Sequence, residues 1–323
     1  MTILAPGIHA GVPMAQYLRQ PALSASVLCK VSAECERAGW AASWLNPSHA
    51  EEAADDSTEA SDVGELGHAL FLEGNLDRLV SIDPQDYPGQ RGGIPEGWTN
   101  NAIRAARDEA RAAGNIPVLS HKVGKIKAMV DSARAFVSSD EMKRLEPAVW
   151  ATFQPGGGTA ELSCLWDDDG ILCRMRPDII NTDRWLIVDV KTTKRAAEPQ
   201  GWSRSMFTPM GLRLRAAWYG SRGAKRAFGK KATYICMVIE QDEPFLCSSI
   251  GFDPEQLALG QKKMEDAFGK WRACVEANYW PGYSSRIHYP ELMPWERAGF
   301  EDDQTDAQGI PYDVSRLFQK KEA

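Results

Sequence analysis

Two short runs near the middle of the chain carry the residues best suited to chemistry. They are Arg176-Pro177-Asp178 and, after a gap of ten residues beyond Asp178, Asp189-Val190-Lys191. In a strand reading WLIVDV, side chains alternate between faces, so Asp189 and Lys191 share one side and Val190 faces apolar packing on the other. Asp178, at the tail of a neighbouring strand, can join them. Two carboxylates converging near one point repel unless a cation lies between them, and an all-oxygen site suits Mg²⁺ or Mn²⁺. A lysine beside such a site can orient a water and neutralise charge developing on a phosphate. These are the parts needed to hydrolyse a phosphodiester. The bland alternative places Asp178 in a turn and makes Asp189 and Lys191 an edge ion pair. An acid set between LIV and V is costly without a partner, which disfavours that alternative.

The elements that must position these residues follow from periodicity and turn chemistry. Asp169-Gly170 is a hairpin signal between LSCLW and ILCRMRPDII, and Asn181-Thr182-Asp183 marks a turn before WLIVDV. A helix is expected from about Ser205 to Phe228, then a strand pair in ATYICMVIEQ and FLCSSIGF. A long helix follows, capped by Asp253 with Pro254 at its first position, running to about Tyr279. Before the hairpin the chain reads as helices. Ser24 or Ser26 caps the first, VGELGHALFLEG from Val63 to Gly74 is amphipathic, and Ser120 caps a helix covering SHKVGKIKAMVDSARAFVSSDEMKRL. EEAADDSTEASD reads as a solvated loop, and DPQDYPGQRGGIPEG as a loop. The order predicts an α/β protein, a mixed sheet flanked by helices with an N-terminal helical portion. The expected division is residues 1–62 (helical portion and acidic loop), 63–280 (catalytic domain) and 281–323 (an extension with scattered aromatics such as Trp295, Phe300 and Tyr312).

The formal net charge of −7 argues at first against a nucleic-acid partner, but DNA is bound by one face. Residues 191–231 hold eleven basic residues and one acid, Glu198, a net +10 that leaves −17 for the rest. A solvated helix surface would account for a charge run alone. Its place directly after the strongest chemical motif favours a phosphate-binding face. Arg215, Tyr219, Arg222 and Arg226 fall on one stripe of that helix, and guanidinium groups suit phosphate oxygens.

His68, in GELGHALFLEG, shares a helical face with Phe71 and Leu72 and so turns inward, where a satisfied core histidine is the common case. With Pro177-Asp178, ten residues and Asp189-Val190-Lys191, however, Gly-x-x-x-His-x-Leu-x-x-Glu resembles the PD-(D/E)XK nucleases of the RecE-type branch (exonuclease VIII-like). PALSASVL, GILCRMRPD, DVKTT and NYWPGY extend the resemblance over most of residues 20–283.

The resemblance implies a restriction-endonuclease-like fold. The activity would be exonucleolytic digestion of linear double-stranded DNA, 5′ to 3′, leaving 3′ single-stranded tails for recombination. It implies His68, Asp178, Asp189 and the Val190 carbonyl as ligands of Mg²⁺ (or Mn²⁺), with Lys191 positioning or activating water. Glu161 matches an acidic position that binds a second metal or holds water, a surface strand glutamate being the alternative. Arg176 and the basic helix are expected to contact DNA. Relatives carry Gln-x-x-x-Tyr where this chain has Arg215 and Tyr219, which leaves the role of that helix open. A homo-oligomer, a single-strand annealing protein as partner and a phage or prophage origin fit the same family. The rivals are an endonuclease of the same fold and an inactive DNA-binding or assembly protein.

The remaining composition is that of a soluble globular chain: 43% hydrophobic, 25% charged, with no apolar run of bilayer length and no signal-peptide pattern at the start. The seven cysteines include no CxxC pair, read as reduced thiols of a cytoplasmic protein, and their spacing does not ask for an iron–sulfur cluster.

Overall fold

A computed structural model of the chain describes residues 3–49, 59–89, 92–293 and 296–297. Most of the acidic segment (51–58) and Trp295, Phe300 and Tyr312 lie outside the described residues. Residues 1–282 form one compact unit and 283–323 a second, of which 283–293 and 296–297 are described.

Among the described residues, ten strands form three sheets: β1 (Gly7–His9), β2 (Leu79–Ile82), β3 (Ile116–Leu119), β4 (Thr159–Ala160), β5 (Ser163–Asp168), β6 (Ile171–Met175), β7 (Ile179–Asn181), β8 (Leu186–Thr193), β9 (Thr233–Glu240) and β10 (Cys247–Ile250). The central sheet has the order β10-β9-β8-β7-β4, with β8 and β9 parallel and the other pairs antiparallel. It is the mixed sheet that the order of elements predicts. The parallel pair requires a crossover, and the helices between β8 and β9 supply it. Leu186, Val188 and Val190 pack on one face with the helices Glu59–Leu72 and Ser120–Ser138. Ile187 packs on the other with Trp202, Phe207 and Leu212 of the crossover.

The hairpin expected at Asp169-Gly170 is present, with both residues at positive φ (55° and 85°) as its tight turn demands. It does not stay in one sheet. β5 and β6 belong to a three-stranded sheet with β1, while the flanking β4 and β7 belong to the central one. Both arms therefore bend where they change sheets, at Glu161-Leu162 and at Arg176-Pro177-Asp178. The proline supplies no ladder N–H there, and Glu161 takes the left-handed conformation at φ 56°.

Several boundaries differ from expectation. The helix expected over 120–145 stops at Ser138, and Ser139 caps a separate helix, Asp140–Leu145, through Met142 N. Ser120 is the first helical residue and makes no capping bond. The His68 helix starts earlier, at Glu59, and within it Asp62 is buried against Arg111, Oδ2 to Nη2 2.6 Å. The parallel pair β2–β3 and the strand β1 are additions to the expected order, since neither carries the alternation that marks a strand. The predicted 205–228 helix is Leu212–Ala216, a π-helical stretch Ala217–Gly223, and Ala224–Phe228, with a separate helix Pro199–Met206 before it.

Candidate active site

The bend in the hairpin, the end of β8 and the His68 helix meet at one place. The helix approaches closely because glycine faces its neighbours: a Cβ on Gly67 would lie 2.5 Å from Met129 Cε, and one on Gly64 3.0 Å from Thr192 Oγ1. His68 then reaches both arms of the hairpin, with Nε2 3.1 Å from Asp178 Oδ2 and Nδ1 3.4 Å from Glu161 Oε1. The arms are themselves tied together, as Glu161 N donates to Asp178 O at 3.1 Å. Among the described residues, His68, Glu161 and Asp178 form a group whose potential ligand atoms lie within 4.8 Å of one another.

Asp189 and Lys191 project together from β8, Nζ lying 2.5 Å from Asp189 Oδ2. The same Oδ2 is buried, so the ammonium is its close partner in a site shielded from water. Val190 contributes through its backbone. Its N–H donates to Asp178 Oδ2 at 2.7 Å, and its carbonyl accepts from Lys191 Nζ at 3.2 Å. Glu161, for which the sequence leaves both a functional and a plain strand role open, is 8% exposed and sits inside the cluster.

The charges are mutually dependent. Burial disfavours the imidazolium of His68, but Asp178 and Glu161 outweigh it and hold the group up to about 9. Burial likewise pushes Asp178 up, while His68, Lys191 and the Val190 amide together pull it down to about 2. Burial lowers Lys191, but Asp189 and Asp178 raise it by more, and it ends above its ordinary value. Burial and Asp178 raise Glu161 against the pull of His68 and Arg176. At neutral pH a protonated imidazole thus occupies the position between two carboxylates.

The arginines divide into two groups. Arg176 turns inward, pairing with Glu161 and donating to Val12 O at 2.7 Å. Arg215 and Tyr219 stay beside the site: Tyr219 lines the cavity that holds His68 and Lys191, and Arg215 lines a second one with Lys191 and Lys30. Arg222 and Arg226, expected on the same stripe, instead pair with the buried Asp168 at 2.6 and 2.8 Å. The π-helical stretch Ala217–Gly223, which holds both Tyr219 and Arg222, has a wider turn than the 3.6-residue period assumed, so the stripe does not continue through it. Sequence reasoning passes over Arg174, yet its guanidinium donates to the carbonyls of Tyr17, Leu18 and Gln20 and lies 4.9 Å from the Tyr17 ring. Two arginines two residues apart, in RMR, were the available signal.

No curated protein matches the sequence. Among solved structures, the crystal structure of a protein from Eubacterium rectale called a "Putative exonuclease" aligns over 88% of this chain and 97% of its own, at 12% identity and a TM-score of 0.48. The SSO0001 protein aligns over 64% and 85%, at 11% identity and a TM-score of 0.23. Residues 24–292, which include His68, the bent hairpin and β8, match the family described as a PDDEXK-like domain of unknown function (DUF3799), and the chain belongs to that family.

Proposed function

We propose that this protein is a metal-dependent deoxyribonuclease, an exonuclease that digests linear double-stranded DNA from 5′ to 3′ and leaves 3′ single-stranded tails for recombination. The observation that carries the reading is the convergence of His68, Glu161 and Asp178 beside the Asp189–Lys191 pair. Its donor set fits a divalent cation: an imidazole nitrogen, two carboxylates on the two arms of the hairpin and, nearby, the carboxylate of Asp189 beside Lys191. Bound Mg²⁺ or Mn²⁺ would supply Lewis acidity toward a phosphate oxygen. His68, Glu161 and Asp178 would hold it, with Asp189 and the Val190 carbonyl adjoining. Lys191, kept charged by Asp189 and Asp178, would orient the attacking water and offset charge on the phosphate. Polarity, the role in recombination, an annealing protein as partner and assembly as a homo-oligomer rest on the resemblance to RecE-type exonucleases.

The test is digestion with Mg²⁺ of linear duplex and of covalently closed circles by wild type, Asp189→Ala and Lys191→Ala. Wild type should release nucleotides from linear DNA alone, and both variants should fall at least a hundredfold in rate. Cleavage of closed circles would replace the exonuclease with an endonuclease of the same fold. Equal release by all three proteins would end the enzymatic reading.

A further inference from the structure

The two carboxylate oxygens of Glu161 face different partners. Oε1 lies 3.4 Å from His68 Nδ1, whereas Oε2 is paired with Arg176 Nε. The backbone of Glu161 is fixed as well. It sits at the bend with φ 56°, and its N–H donates to Asp178 O at 3.1 Å. Held at both ends, the side chain has little freedom to bring both oxygens to one point.

The partner of Oε2 is itself anchored. The Arg176 side chain is 9% exposed, and besides Glu161 it reaches two further acceptors. Its Nη1 donates to Val12 O at 2.7 Å and to Ser163 Oγ at 3.2 Å, and the guanidinium carbon lies 5.5 Å from the centroid of the buried Tyr17 ring. The acceptors come from the bend, from β5 and from the segment before the helix Met14–Leu18. A planar guanidinium with its donors in a fixed fork serves all three at once, which a lysine ammonium on a flexible stem does not. Its orientation is thus set by the surrounding fold, and the Glu161 carboxylate conforms to it. The same positive charge repels a second cation from Oε2.

The number of oxygens a carboxylate can offer matters to which cation it holds. Ca²⁺ gathers roughly six to eight oxygens at about 2.3–2.6 Å, and a carboxylate binding through both oxygens is one common way to reach that number. Mg²⁺ is smaller and demands a near-octahedral set at about 2.0–2.1 Å, a geometry that Mn²⁺ shares. We propose that Arg176 sets the cation selectivity of the cluster: by holding Oε2 it leaves Oε1 as the single oxygen that Glu161 can offer, which favours Mg²⁺ or Mn²⁺ over Ca²⁺. Arg176 acts through Glu161 and is a positioning residue. The inference deepens the nuclease reading and rests on it for the presence of a divalent cation.

The test uses the full-length protein without DNA, titrated separately with Mn²⁺ and Ca²⁺ in a calorimeter. Wild type should prefer Mn²⁺. Arg176→Lys keeps the positive charge and loses the fork, so the ratio of Mn²⁺ to Ca²⁺ affinity should shrink about tenfold, the low end of what the outer partner of a metal ligand contributes. A merely structural role would lower both affinities together, and an unchanged ratio would overturn the inference while leaving the nuclease standing. Wild-type crystals soaked in Mn²⁺ give a second reading that needs no variant. Glu161 should meet the ion through Oε1 alone with Arg176 still on Oε2, and binding through both oxygens would overturn the inference. Wild type that binds neither ion would remove the inference and the metal-dependent reading together. A shrunken ratio in Arg176→Lys, without cleavage of any DNA by wild type, would retain the role of Arg176 and remove the nuclease.

Discussion

The backbone amide of Val190 donates to Asp178 Oδ2 at 2.7 Å, so the strand that carries Asp189 and Lys191 also holds the acid of its neighbour. His68 Nε2 meets the same oxygen at 3.1 Å. Asp178→Asn keeps the size of the side chain and removes its charge, taking away the strongest support for the imidazolium. In the metal-free variant His68 should titrate well below about 9, toward its ordinary value near 6.5. Imidazole resonances followed by NMR across the pH range check this, and an unchanged midpoint would contradict the geometry.

Metal binding should be linked to protons through the same histidine. A ligand imidazole must be neutral, whereas in the metal-free protein His68 stays charged up to about 9. Calorimetry of Mn²⁺ binding at pH 7, in two buffers of different ionisation enthalpy, should report release of about one proton, with affinity rising as pH approaches 9. The sign for stability is the reverse. Because folding raises the pKa of His68, its contribution to the metal-free fold is complete below about 6.5 and is lost as pH rises through the folded value. Metal-free wild type should fall in Tm between pH 7 and 9.5 by more than His68→Gln does.

A second charged centre, away from the cluster, should matter to stability. Asp168 is fully buried and is reached by Arg222, Arg226 and Trp166 Nε1. Burial pushes its carboxyl up, but Arg222, Trp166 and Arg226 together outweigh this and the group lies below its ordinary value. Asp168→Asn leaves Arg222 stranded over the Phe268 ring and should cost ~2–4 kcal/mol in denaturant unfolding. Arg226→Ala removes the half-exposed partner and should cost under about 1 kcal/mol. The wild-type contribution is present above about pH 4 and fades as pH falls through the lowered folded value.

Part of this arrangement was legible in the residues alone. Alternation along β8 was enough to put Asp189 and Lys191 on one side and Val190 in the core, and Asp169-Gly170 announced its own turn. The change of sheet at Glu161 was not legible. A glutamate carries no signal for positive φ, and its conformation is imposed by the bend that brings its carboxylate to His68. Nor was the division of the basic stripe, because a helical projection presumes one period throughout and the π-helical stretch at 217–223 breaks it. The role of Arg176 was hidden for a third reason: only the fold reveals that Glu161 and the Val12 carbonyl lie within its reach.

Arg215 stands where the resembled family carries glutamine, and its surroundings give two opposite expectations. Its Nε donates to Met210 O at 3.1 Å and its Nη2 to Ser26 Oγ at 3.2 Å, so it braces the start of the helix Ala25–Ala33. It also lines a cavity with Lys191 and the Lys30–Glu34 pair, where binding a phosphate would use its charge. Arg215→Gln keeps a hydrogen-bonding side chain and removes the charge, which separates the two roles. Removing one cation that neutralises a phosphate reduces the slope of log affinity against log salt by about 0.9. If Arg215 meets the DNA backbone, the variant should bind DNA more weakly at low salt whatever the sequence, show a slope smaller by about one, and converge with wild type as salt rises. Fluorescence anisotropy over a salt series, with EDTA present to prevent cleavage, reads all three. A drop in affinity that is the same at every salt concentration would assign Arg215 to bracing the helix and remove it from the DNA path.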